Sequence, residues 1–178
     1  MEPMKCPFCD FQGEAMRQRI FYHDENWYAI LAAPCHNEGH SLLIALPKNS
    51  HCPTRLSEDT LMGLPKALSN VTEAIKAVYR PKDVLLASLR GSESHFHFHF
   101  VPLYEEAENA WRSSHKGKES YGKGHLMEFL GHLEKQGDER AVTQRRENGL
   151  SEEQQRAIIV GAQKPEIEKL RLAASYYH

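Results

Sequence analysis

Long apolar runs are missing from this 178-residue chain, and none approaches the roughly 18 residues that a membrane span needs. The N-terminus also has no charged region followed by an apolar core, the pattern that directs a chain to export. A soluble, cytoplasmic protein is the expectation. Charge of one sign is missing too: 22 lysines and arginines against 24 aspartates and glutamates leave a formal net charge of −2. That gives no overall basic field to attract nucleic acid. Cysteine is scarce, with four residues at 6, 9, 35 and 52. In a chain expected to stay in a reducing compartment, Cys6-x-x-Cys9 points to a metal or redox site rather than a structural disulfide. A redox pair wants a helix starting just after it to lower a thiol pKa, and Asp10-Phe11-Gln12-Gly13 does not announce one. Metal is the preferred reading. Two thiolates supply only half of a tetrahedral zinc shell, so further ligands must come from elsewhere, with His36, His40 and Cys52 among the nearby alternatives.

What is there centres on one stretch, Ser94-His95-Phe96-His97-Phe98-His99-Phe100-Val101-Pro102. In a strand, successive side chains point to opposite faces, so His95, His97 and His99 line one side and the phenylalanines the other. Bulky aromatics at every alternate position imply a buried, rigid strand, where an unsatisfied polar group costs roughly 1–3 kcal/mol. Three imidazoles on such a strand point to a chemical role; metal capture by a His-rich run is the alternative.

The remaining patterning predicts one α+β domain, an antiparallel sheet of about five strands covered by helices, with an elaborated C-terminus. Arg19–Tyr22 and Trp27–Leu31, separated by a polar turn, read as a hairpin. Ser41–Leu46 is a short apolar run suited to a central strand. From Ser57, a plausible N-cap ahead of Glu58 and Asp59, a helix buries Leu61, Leu64, Leu68, Val71, Ile75 and Val78. Pro65 is expected to kink this helix or shift its start, and Pro81 to end it. Asp83–Leu89 reads as the strand paired with the histidine strand. After Tyr104 the chain turns polar; Lys116, Lys118 and Lys123 form a small basic stretch, read as a solvated loop. Residues 125–133 read as a helix, Ser151-Glu152-Glu153-Gln154 opens another with a capping-box pattern, and a last amphipathic segment runs through Ile167, Leu170 and Leu172. These helices suit a dimer contact or a lid.

The His-x-His-x-His strand followed by two apolar residues resembles the signature of the histidine triad family, nucleotide-binding hydrolases and transferases that attack an α-phosphate with a histidine. The resemblance runs back through Gly39-His40-Ser41-Leu42-Leu43 and Leu46-Pro47-Lys48-Asn49-Ser50-His51 to Cys6-Pro7-Phe8-Cys9. It covers about the first 105 residues, leaving 106–178 as a helical extension of unassigned role.

The resemblance implies His97 as nucleophile, His99 at the phosphate or bridging oxygen, and His95 holding the strand while binding zinc with Cys6, Cys9 and His51. It implies an apolar slot for the base, to which Ile20, Phe21 and Ile30 can contribute, and a homodimer. A histidine rather than glutamine at 99 favours hydrolysis over transfer. The chain also departs from the family. Ala32 stands where an acidic or amide residue commonly meets the ribose, leaving Asn37 or Glu38 as replacements. Leu103 stands where an arginine usually follows the proline. The loop before the triad lacks the usual phosphate-gripping amides, so Ser88, Arg90, Ser92 and Ser94 are the available substitutes. Hydrolysis of a nucleotidyl phosphate linkage, in a dinucleoside polyphosphate or a nucleoside phosphoramidate, is the function implied. A zinc-stabilised nucleotide-binding module and a nucleotidyltransferase are the alternatives.

Overall fold

The computed structural model of the chain describes residues 6, 8–9, 12–32, 37–46, 56–88, 95–115 and 126–176. Along the chain run α1 (Glu14–Arg17), β1 (Ile20–His23), β2 (Trp27–Leu31), β3 (Ser41–Ala45), α2 (Glu58–Tyr79), β4 (Asp83–Ala87), β5 (His97–Leu103), α3 (Glu105–Ser114), α4 (Leu126–Asn148), α5 (Glu152–Ala162) and α6 (Lys164–Ser175). The strands form one antiparallel sheet in the order β1-β2-β3-β5-β4. The predicted α+β class, hairpin and long helix before β4 are all present. No helix among the described residues is long and apolar enough to cross a membrane.

Period-two alternation gives the sheet two different faces. Trp27, Ala29, Leu31, Leu43, Ala45 and Phe100 turn toward α2 and α6, where Ala67, Val71, Ile75, Ile167 and Leu170 complete the main core. Phe96 and Phe98 join this face, their rings meeting the Trp27 indole at 6.2 and 6.3 Å between centroids. The anchoring role expected of the alternate phenylalanines is thus filled. Tyr28, Ile30, Ala32, Leu42 and Ile44 turn the other way and pack with Phe8. Further along that second face, Val101 and Leu103 are covered by Trp111 of α3 and by Phe129 and Leu133 of α4. Residues 97 and 99 share its parity and lie between the two coverings.

Ser57 caps α2, its Oγ accepting from the backbone N–H of Thr60, and Arg80 closes it in the left-handed region at φ 51° with its N–H on Lys76 O. Pro65 neither shifts the start nor ends the helix, which runs unbroken from Glu58. The carbonyl that loses its partner belongs to Leu61, which is half exposed, on the side of the helix open to solvent. The polar stretch after Tyr104, to which no element was assigned from sequence, is helical: α3 buries Glu108 and Trp111. Helix α4 continues well past residue 133, to Asn148. The capping box at Ser151 and Gln154 is formed in both directions.

Candidate active site and metal centre

Backbone carbonyls only accept hydrogen bonds, so they fix which ring nitrogen carries the proton wherever an imidazole faces one. His97 Nδ1 lies 2.7 Å from the carbonyl of His95 and therefore carries hydrogen. Its Nε2 is left with the lone pair, which a nucleophile needs. That nitrogen faces His99 Nε2 at 3.1 Å. His99 supplies the hydrogen there, which leaves its Nδ1 to accept from His40 Nε2, also at 3.1 Å. The result is a directed chain of donors, His40 to His99 to His97 to the backbone of His95. The His40 and His99 rings stack with 17° between planes, and His40, His95 and His97 are buried at 2%, 1% and 6% exposure. Rings held by packing and by hydrogen bonds to backbone carbonyls or to one another keep their tautomers.

His40 was missed as a member of this chain. It sits beside the motif in Gly39-His40-Ser41, but in sequence it counted only as an alternative metal ligand. Register explains the meeting: Leu42 pairs with His99 across β3 and β5, so the residue two before Leu42 projects on the same face at the same end of the sheet.

The second cluster lies at the start of the histidine strand. His95 Nε2 donates to the carbonyl of Ala45 at 2.7 Å, so His95 Nδ1 holds the lone pair. It faces Cys6 Sγ at 3.4 Å and Cys9 Sγ at 3.5 Å, and the three ligand atoms lie within 4.8 Å of one another. Burial, with Cys6 as neighbour, pushes the Cys9 thiol up to about 11, so a Cys9 thiolate calls for a cation beside it. A soft sulfur pair plus one imidazole nitrogen is the donor chemistry of a tetrahedral zinc shell, and these residues fit it. The expected fourth ligand, His51, lies outside the described residues, as do the alternatives His36 and Cys52.

Phe8, between the two cysteines, ties this knuckle to the triad. Its ring packs against His95 at 5.9 Å and His97 at 5.2 Å between centroids, and its carbonyl accepts from Tyr28 Oη at 2.7 Å. Neither residue was singled out from sequence for this role.

Of the substrate-binding residues expected, Arg90, Ser92 and Ser94 lie outside the described residues. Ser88 Oγ donates to the carbonyl of His97 at 3.1 Å, so its hydrogen serves the strand. Ile20 and Ile30 belong to the triad-side cluster. Phe21 does not join them: as the strand neighbour of Ile20 it points to the opposite face and is buried in the main core. Ile20 lines a cleft of about 700 Å³ with Leu46, Gln12, Arg17 and Arg171, and no triad histidine lines that cleft. Trp111 is core, 1% exposed and stacked on His115 at 3.6 Å between centroids.

No protein-family model matches the sequence, and no curated protein matches it. Solved structures do. A histidine triad family protein from Bacillus subtilis is 20% identical, with 76% of this chain and 96% of that one covered at a TM-score of 0.53. One from Bacillus anthracis is 22% identical, with 83% and 99% covered at a TM-score of 0.51. A hypothetical histidine triad nucleotide-binding protein from Sulfolobus tokodaii is 29% identical, with 56% and 70% covered at a TM-score of 0.49. The chain thus has the fold of the histidine triad proteins, with its own His-x-His-x-His strand as β5 and the residues just before it.

Proposed function

We propose that this chain is a hydrolase of nucleotidyl phosphate linkages that works through a covalent nucleotidyl-His97 intermediate. The observation that carries the reading is the tautomer of His97: Nδ1–H is committed to the His95 carbonyl, so the Nε2 lone pair is the one that meets a substrate. That lone pair attacks the α-phosphorus, and the bond from phosphorus to the leaving group breaks with its electron pair going to the leaving atom. His99, whose Nε2–H points at the reacting nitrogen, gives that hydrogen to the leaving atom as general acid once a solvent proton occupies its Nδ1, so that it leaves the step as a neutral imidazole. His40, with Nε2 3.1 Å from that Nδ1, holds the His99 ring in place. Water then attacks phosphorus, the phosphorus–nitrogen bond breaks with its electron pair returning to His97 Nε2, and the water's proton passes to His99 Nε2, releasing a nucleoside monophosphate.

Zinc held by Cys6, Cys9 and His95 would supply charge neutralisation for the thiols and a rigid start to the histidine strand. The proposal includes a nucleotide substrate, with a dinucleoside polyphosphate or a nucleoside phosphoramidate as the class, and a homodimer. In support of the latter, β4 is at the sheet edge with Leu86 42% exposed, an edge that a second copy can cover. Light scattering in solution tests the dimer.

Intact-protein mass spectrometry after acid quench, on wild type and His97→Ala with both substrate classes, tests the chemistry. A nucleotidyl adduct on wild type alone is expected. Turnover by a folded His97→Ala protein would end the reading, and nucleotide binding without adduct or turnover would favour a binding module.

A further inference from the structure

His40 owes its position to a short turn, Asn37–His40, and that turn is held from several directions. His40 N–H bonds Asn37 O at 3.0 Å, and His40 O accepts from Ala32 N–H at 2.8 Å. Asn37 Nδ2 donates to Pro102 O at 3.0 Å and Tyr104 Oη to Glu38 O at 3.0 Å, which fastens the turn to the end of β5. Gly39 sits at φ +75°, and a Cβ there would lie 2.7 Å from Cδ2 of Tyr79. The Tyr79 ring of α2 is therefore the floor of the turn, in contact with the backbone one residue before His40.

Two of these supports are completed from the far end of the chain. Tyr79 Oη donates to Glu166 Oε2 of α6 at 2.9 Å. Gln163, the residue that precedes α6, donates from Nε2 to Ala32 O at 2.9 Å, on the same peptide segment whose N–H holds His40. Gln163 is 7% exposed, and burying an amide at that depth without using its donor costs roughly 1–3 kcal/mol. Helix α6 is anchored independently by Ile167, Leu170 and Ala174 in the main core, so it can serve as a fixed support.

We propose that the C-terminal helices position His40, through Tyr79 and Ala32, and so set the donor chain that ends on His97. Glu166 and Gln163 are positioning residues: neither bonds a histidine, and each holds a group that does or that adjoins one that does. This assigns to α6 a role in the site in addition to its place in the core. The use of the coupling rests on His97 as nucleophile, but the coupling itself is a statement about ring nitrogens and is tested without turnover.

The experiment is a long-range proton–nitrogen correlation spectrum of the imidazoles in the full-length protein, for wild type, Gln163→Ala, Glu166→Ala and Glu166→Gln. Wild type should show single tautomers, with hydrogen on Nε2 of His40 and His99 and on Nδ1 of His97. Gln163→Ala and Glu166→Ala should move the His40 and His99 nitrogens toward averaged values while His97 keeps its Nδ1–H. Adduct formation at His97 should slow by about 10-fold, the lower end for loss of a group that orients a reacting ligand. Glu166→Gln, whose amide oxygen still accepts from Tyr79, should restore the wild-type spectrum. If an alanine variant does not fold, Tyr79→Phe, which keeps the ring and removes the bond to Glu166, takes its place with the same expected shift. Folded variants whose His40 and His99 spectra match wild type would overturn the proposal. Absence of any adduct on wild type would count against the hydrolase reading alone.

Discussion

His97 Nδ1 donates to the backbone carbonyl of His95, the same residue whose own Nδ1 faces the two thiols. One peptide unit therefore joins the metal-ligating cluster to the reacting imidazole. Anything that moves His95 rotates the acceptor that fixes the His97 tautomer.

Metal should accordingly stabilise the fold and order the site together. Zinc present at a hundredfold excess over its Kd is expected to add about 2.7 kcal/mol, read as a rise in melting temperature that a chelator reverses. Cys9→Ala should abolish that dependence and lower the adduct rate. A Cys9→Ala protein that still gains stability from zinc would place the ion elsewhere.

Removing the acid separates the two halves of the proposed reaction. His99→Gln keeps a side chain able to bond His97 but cannot give up a proton to the leaving atom, and general acid catalysis contributes roughly 10²–10⁴-fold. The loss should be large for a leaving group of high pKa and small for one that departs unprotonated. A uniform loss across leaving groups, measured in steady-state kinetics, would mean that His99 only positions.

The alternation of histidine and phenylalanine was legible because its period is local: it needs only β geometry to separate a reactive face from an anchoring one. The hairpin, the apolar face of α2 and the Ser151 cap were legible for the same reason. What was hidden depends on pairs distant in sequence. His40 meets His99 through the β3–β5 register, and Gln163 reaches Ala32 across 131 residues. Phe21 was placed in the wrong cluster although the period was there to read: strand neighbours face opposite ways, so Phe21 cannot share an apolar slot with Ile20. Helix α3 was missed because its buried residues are Glu108 and Trp111 alone, too few for an apolar stripe.

Glu108 is itself testable. Its carboxylate is 2% exposed and meets Lys82 Nζ at 2.9 Å, with the lysine side chain half exposed. Taking away the lysine leaves a buried charge uncompensated, whereas Glu108→Gln removes the charge. Lys82→Met should therefore destabilise by about 1–3 kcal/mol, more than Glu108→Gln, in denaturant titrations. Equal losses from the two substitutions would show that the ion pair carries shape rather than charge.

The α3–α4 contact carries a pH dependence of defined sign. His132 packs edge-on against Trp111 at 5.3 Å and His115 at 5.6 Å between centroids. Burial, and then the neighbouring His115, lower its pKa; Glu139 opposes and Lys135 adds to the lowering. A histidine whose folded pKa lies below its unfolded value of about 6.5 binds less proton in the folded state. Stability is then complete above that unfolded value and declines as pH falls toward the folded one. His132→Phe keeps an aromatic edge on Trp111 and cannot titrate. Thermal melts of the two proteins between about pH 8 and 5 should diverge on the acid side, wild type losing more, because the two differ only in the proton that His132 must exclude to stay packed. Parallel curves would mean that His132 takes up its proton while still packed against Trp111 and His115.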